Sequence, residues 1–147
     1  MPQNPPEGYP RISPYLLYEN AGAAVDWLTR AFGFRERMRM PDDTGRVSHA
    51  ELELDGAVVM LGTSQNPEFK NPKRLGANTS FVYVYVVDVD AHFTRAKEAG
   101  AQIQSEPEDM PYGDRHYSAK DPEGHEWYFA THVRDVSPEE MGATAAT

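Results

Sequence analysis

The 147 residues are 39% hydrophobic and 25% charged, carry a formal net charge of −9 and include no cysteine. That is the make-up of one globular domain; it excludes disulfides, thiolate metal sites and cysteine nucleophiles, and a surface short of Lys and Arg excludes nucleic acid as a partner. No apolar run reaches the roughly 18 residues of a membrane span, and MPQNPPEGYP lacks the basic start and apolar stretch of a secretory signal, so a cytoplasmic location with no membrane partner is expected.

Four prolines in the first ten residues make 1–8 an arm expected to be disordered. RISPYLLYE reads as a strand. Asn20 is an N-cap for the helical AGAAVDWLTRAF, which ends at Gly33 and turns Val25, Leu28 and Phe32 to the core. FRERMRM and RVSHAELEL alternate as strands around the turn PDDTG, and Asp55-Gly56 is a hairpin signal leading into AVVMLG. After the polar linker 65–78 the order begins again. SFVYVYVVD is a strand and VDAHFTRAKEAG a helix closed by Gly100. AQIQSEPEDM is a strand interrupted by Pro107, RHYSAKD another, and HEWYFATHV follows the turn PEG. Ser137, Pro138 and Glu140 stand in capping-box order, which predicts a short terminal helix.

Both halves therefore read strand, helix, strand, strand, strand. Gly33 and Gly100 lie 67 residues apart, Gly56 and Gly124 lie 68 apart, and a long interval occurring twice means two fused copies of one unit. The expected fold class is α+β: two tandem βαβββ modules, about 9–64 and 79–133, within one domain 9–136, followed by a tail 137–147.

Paired modules carrying YLLYEN, AVDWLTRAFGF, VYVVDVDAHFTRAKEAGA and DPEGHEW resemble the vicinal oxygen chelate superfamily of glyoxalases, bleomycin resistance proteins and extradiol dioxygenases, from about Tyr9 to Val133. The resemblance implies a curved, cup-like mixed sheet holding the site. It also implies four metal-ligand positions, which fall here at Ser13, Met60, Phe81 (or its neighbour Val82) and Tyr128. That set lacks carboxylate, imidazole and thiolate. The expectation is thus no metal and no cofactor, with a function like that of the family's drug-binding resistance proteins, in sequestration or self-resistance.

Alternation along the same strands places Tyr15, Met60, Phe81, Tyr83, Tyr85 and Tyr128 on the cup's inner face, with His49 and Glu51 at one side. Such a lining suits a planar or aromatic small molecule, and the acidic surface suits a cationic one. The same rings serve equally as filler of the interior. No catalytic residue is assigned.

Two other functions are weighed: a glyoxalase- or dioxygenase-like enzyme with an atypical site around His49, Glu51 and His116, and a dimeric interaction module without a ligand. Against the first, His49, Glu51 and Glu53 also fit a half-solvated strand. His125 is expected to hydrogen-bond near its turn, His92 and His132 to lie at the surface, and Arg115 of GDR to pair with nearby Glu residues or with an acidic ligand. By resemblance the protein is a homodimer; whether its modules pair within a chain or swap between chains stays open.

Overall fold

A computed structural model describes residues 2–144; Met1 of the arm and 145–147 of the tail lie outside them. The two βαβββ modules expected from the sequence are present. The first comprises β1 (Tyr15–Leu17), α1 (Ala21–Phe32), β2 (Arg35–Pro41), β3 (Val47–Leu54) and β4 (Ala57–Gly62). A short helix, α2 (Pro72–Leu75), sits in the linker. The second module comprises β5 (Phe81–Tyr85), α3 (Val89–Glu98), β6 (Gln102–Asp109), β7 (Asp114–Lys120) and β8 (Glu126–His132).

Each module forms its own four-stranded mixed sheet, ordered β1-β4-β3-β2 and β5-β8-β7-β6, with one parallel pair at the end where its first strand lies. Asp55 (φ 47°) and Gly56 (φ 88°) form the left-handed turn that a two-residue hairpin between twisted strands requires. Pro107 does not interrupt β6. That strand is the edge of its sheet and carries a bulge between Ser105 and Glu108, so the missing N–H breaks no ladder. The tail makes the expected capping bond, Glu140 N to Ser137 Oγ at 3.1 Å, but over the described residues it forms turns and no helix. Few apolar side chains are available there to bury, and capping alone does not sustain so short a helix.

One core serves both modules. From the first, Leu28 and Phe32 of α1, Leu52 of β3 and Leu61 of β4 are fully buried; from the second come Tyr117 of β7 and Trp127 and Phe129 of β8. The Phe32 ring lies 4.6 Å from that of Phe129 and 5.7 Å from that of Trp127, so α1 packs against the helix-bearing side of both sheets. Full burial of each such side chain stabilises by about 1.5–3 kcal/mol. Polar bonds fix the junction: Trp27 Nε1 donates to Ala99 O at 3.0 Å, and Arg95 Nε donates to Arg30 O in the last turn of α1 at 2.9 Å. His92, expected at the surface, is instead held between Phe32 O (2.8 Å) and the Tyr117 hydroxyl (2.5 Å). Its position on α3 faces α1, a proximity that the sequence does not reveal.

The turn DPEGH ties the end of one module to the start of the other. Asp121 accepts from Tyr18 Oη and Trp127 Nε1, while His125 Nε2 reaches Leu17 O at 2.7 Å. Glu123 accepts from the backbone N–H groups of Glu19 (2.6 Å) and Asn20 (2.9 Å), at the entry to α1 where a carboxylate is favoured. No helix is long and apolar enough to cross a membrane among the described residues.

Candidate functional site

Because Ala50, Leu52 and Leu61 face the shared core, the intervening residues of β3 and β4 face the other way. Register places Tyr15 beside Met60, Met60 beside Glu51, and Gly62 beside His49. On this first face Tyr15 Oη lies 2.8 Å from His49 Nδ1, and His49 Nε2 lies 2.9 Å from Glu51 Oε2. The other Glu51 oxygen accepts from Tyr9 Oη at 2.6 Å, and Arg37 stacks over the Tyr9 ring at 4.4 Å while donating to Gly8 O. Glu51 is only 4% exposed, although it alternates with core residues in the manner of a solvated strand. Burial alone would raise its carboxyl pKa, but the hydrogen bonds from His49 and Tyr9 outweigh that and hold it below the usual value. Tyr9 was not among the sequence candidates; nothing in the strand pattern marks a residue between the arm and β1 as a partner for Glu51.

The second face is aromatic. Phe81 and Tyr128 are 4.4 Å apart, Tyr83 stacks on Tyr128 at 6.1 Å and 13°, and His116 stands edge-on to Tyr128 at 5.3 Å. Beneath the rings, Asp114 is buried and accepts from the hydroxyls of Tyr83 (2.8 Å) and Tyr85 (2.9 Å) through one oxygen. Its other oxygen meets His132 Nδ1 at 2.7 Å, and His132 Nε2 meets Asp135 at 2.8 Å. Burial and the Asp114 hydrogen bond push the Tyr83 hydroxyl pKa up; the Asp114 bond, then burial, does the same at Tyr85. Asp114 stays below the usual carboxylate range because its three hydrogen bonds outweigh its burial. His116 Nδ1 is buried with no hydrogen-bond partner. Asp114 sits in the same GDR stretch whose arginine drew attention in the sequence; Arg115 itself pairs with Asp90 and Asp109.

The eight candidates thus fall into two groups: Tyr15, His49, Glu51 and Met60 on the first sheet, and Phe81, Tyr83, Tyr85 and Tyr128 on the second. Both faces turn away from the core that joins the modules, and among the described residues no hydrogen bond or ring contact links one group to the other. His116 belongs to the second group and does not meet His49 and Glu51 within the chain. Tyr15 borders a cleft of about 170 Å³ against the linker, and Tyr83 and Tyr85 border a groove of about 340 Å³ with Val58 and Ile12. A cavity of about 450 Å³ lies elsewhere, between the linker and the end of β1, with Arg46, Lys70 and Arg74 on its wall.

The family's metal positions do not fit a metal here. Met60 brings a thioether, and Tyr128 and Phe81 press their rings together, so the set presents no carboxylate or imidazole. Among the described residues no three His, Asp or Glu side chains converge as a cation would need.

The family model described as Glyoxalase/Bleomycin resistance protein/Dioxygenase superfamily matches residues 11–129. An uncharacterized protein of Mycobacterium bovis is 34% identical over 142 residues, 94% of this chain and 93% of the relative. Among solved structures, TioX from Micromonospora sp. ML1 is 39% identical with a TM-score of 0.68, covering 83% of this chain and 98% of that one. A glyoxalase-related enzyme from Clostridium phytofermentans, 16% identical, shares the fold with a TM-score of 0.65 over 83% of this chain and 94% of its own.

Proposed function

This chain belongs to the glyoxalase/bleomycin resistance protein/dioxygenase superfamily, and from that premise we propose that it is a metal-free small-molecule-binding protein of the drug-sequestering kind. The observation that carries the proposal is the buried, unpartnered His116 Nδ1 set among the rings of Tyr83 and Tyr128. A buried nitrogen without a partner loses about 1–3 kcal/mol of solvation, and a ligand polar group arriving at the aromatic face restores it. The surrounding rings select a planar or aromatic partner, with cationic examples favoured by the net charge of −9.

The site is completed by a second copy of the chain. A single chain leaves Tyr15 (50%), Phe81 (54%) and Tyr85 (59%) exposed on two faces that its own packing keeps apart. Two copies related by a twofold axis, each laying its aromatic face over the other's Tyr15–His49–Glu51 face, form two equivalent cups. On this view each cup is formed by faces from two different chains, while the modules of each chain keep their shared core.

The test is a thermal-shift screen of planar aromatic compounds, cationic ones included, on wild-type protein and Tyr128→Ala, with mass in solution measured alongside. A ligand that binds the native state raises the melting temperature, and the rise should vanish in the variant. Near-stoichiometric transition metal located at the cup, or a mass that stays monomeric at all concentrations, would sink the proposal. The enzyme alternative has one point in its favour, the His49–Glu51 hydrogen bond; it fails if His49→Ala and Glu51→Ala leave turnover unchanged.

A further inference from the structure

On the first sheet, side chains from β1, β3 and the segment just before β1 form one unbroken hydrogen-bonded line: Tyr15, His49, Glu51, Tyr9. Its two ends differ. Glu51 is buried and has both oxygens engaged, whereas Tyr15 at the other end is half exposed. A carboxylate facing Nε2 makes that nitrogen the donor of the neutral ring, so Nδ1 keeps its lone pair and accepts the Tyr15 hydroxyl proton. The Tyr15 oxygen then presents its own free lone pair to whatever lies above the sheet.

Packing is arranged around this line. Gly62 stands beside His49 on the neighbouring strand, and a Cβ there would lie 2.6 Å from Tyr15 Oη and 3.0 Å from Ser48 O. Absence of a side chain lets Tyr15 lean across β4 to reach His49. Burying a carboxylate for an ordinary surface ion pair is unfavourable, since such pairs contribute about 0–1 kcal/mol. A buried carboxylate does suit an imidazole that must become positive.

We propose that Tyr15, His49 and Glu51 form a proton-accepting subsite that binds a hydroxyaromatic ligand as its phenolate. The inference rests on the metal-free cup proposed above and names the ligand class. In the step, the ligand O–H bond breaks and its proton joins Tyr15 Oη, while the proton Tyr15 held moves to His49 Nδ1. The products are a ligand phenolate and an imidazolium, with no electron gained or lost. Glu51, 2.9 Å from Nε2, stabilises the imidazolium, and Tyr9 and Arg37 keep Glu51 in place from the arm side. Acidic phenols fit this exchange because they give up their proton readily; aliphatic alcohols hold theirs too tightly.

The experiment uses the full chain and two probes, 4-nitrophenol and its methyl ether 4-nitroanisole, at a pH where free 4-nitrophenol is mostly neutral. Wild-type protein should bind 4-nitrophenol with the phenolate absorption spectrum and at least about tenfold more tightly than 4-nitroanisole, an ordinary step in affinity. Tyr15→Phe, a conservative change at a half-exposed position, and His49→Gln should each bind it with the neutral spectrum and lose the preference. No binding of 4-nitrophenol, a neutral spectrum in the wild type, or a phenolate spectrum that survives Tyr15→Phe each overturns the inference. Equal binding of the two probes overturns the inference while leaving the cup itself supported, whereas failure of the cup shows as no hit in the aromatic screen.

Discussion

The Tyr18 hydroxyl donates to Asp121 Oδ2 at 2.5 Å, joining the end of the first strand to a turn 103 residues later. Both groups are buried, and the same carboxylate oxygen also takes the Trp127 indole N–H at 3.1 Å. DPEGH, recognisable in the sequence as a turn, is thereby the fastener between the modules. Tyr18→Phe should lower stability by about 1–2 kcal/mol, and Asp121→Ala, which strands Tyr18 Oη, Trp127 Nε1 and the backbone N–H groups of Glu123 and His125, by about 3 kcal/mol or more. Urea unfolding measures both; values within error of the wild type would remove this role.

Glu123 acts from the second module as a cap for the first, accepting from two backbone N–H groups ahead of α1 and from Asn71 Nδ2. Glu123→Ala should cost about 1–2 kcal/mol, the range of a lost cap. Circular dichroism melting in the same buffer reads it out, and a change at Glu126→Ala of equal size would show that position at the helix entry is irrelevant.

Gly62→Ala should break the Tyr15–His49 hydrogen bond while leaving the fold intact, at about 1–3 kcal/mol for an overpacked position. Nitrogen NMR of the His49 ring checks it, since Nδ1 loses its hydrogen bond. An unchanged Nδ1 resonance would show that Tyr15 moves with the added methyl.

Two histidines give stability opposite pH dependences. Hydrogen bonds donated by the ring to Asp114, then to Asp135, raise the His132 pKa above its unfolded value of about 6.5, so its contribution is complete below about pH 6.5 and is lost as pH rises through the folded value. Burial, partly offset by the Phe32 carbonyl, lowers the His92 pKa; its contribution is present above about pH 6.5 and is lost as pH falls towards the folded value. Melting temperatures measured from about pH 5 to 9 should lose part of their alkaline decline in His132→Gln and part of their acid decline in His92→Gln. A reversed assignment would contradict the hydrogen bonding at both sites.

Trp127→Ala should cost about 3–5 kcal/mol, because the ring is fully buried between the modules and its loss also frees Asp121 of a donor. Arg115→Ala, which removes only exposed pairs with Asp90 and Asp109, should change stability by less than about 1 kcal/mol. Chemical denaturation of the two variants side by side tests the contrast.

Local pattern was enough for much of this architecture. Alternation marked β2 and β3, helical spacing put Val25, Leu28 and Phe32 inside, Asp55-Gly56 marked a hairpin, and the paired glycines revealed two modules. The first three of these signals act between residues close in the chain, where backbone geometry alone sets which side chains share a face. It likewise selected one side of each strand for the eight candidates, but it did not show that Tyr15, His49, Glu51 and Met60 lie on one sheet and Phe81, Tyr83, Tyr85 and Tyr128 on the other.

What the sequence determined by itself was therefore the modules and their order. Only tertiary structure decided that the two sheets share a core through α1 and α3, that Tyr9 buries Glu51, that His92 lies between modules, and that His116 and His49 stand on separate faces. The physical reason is that these depend on which surfaces meet across distant segments. Burial of apolar area is non-directional, so strand alternation selects a face but does not name the surface that will cover it.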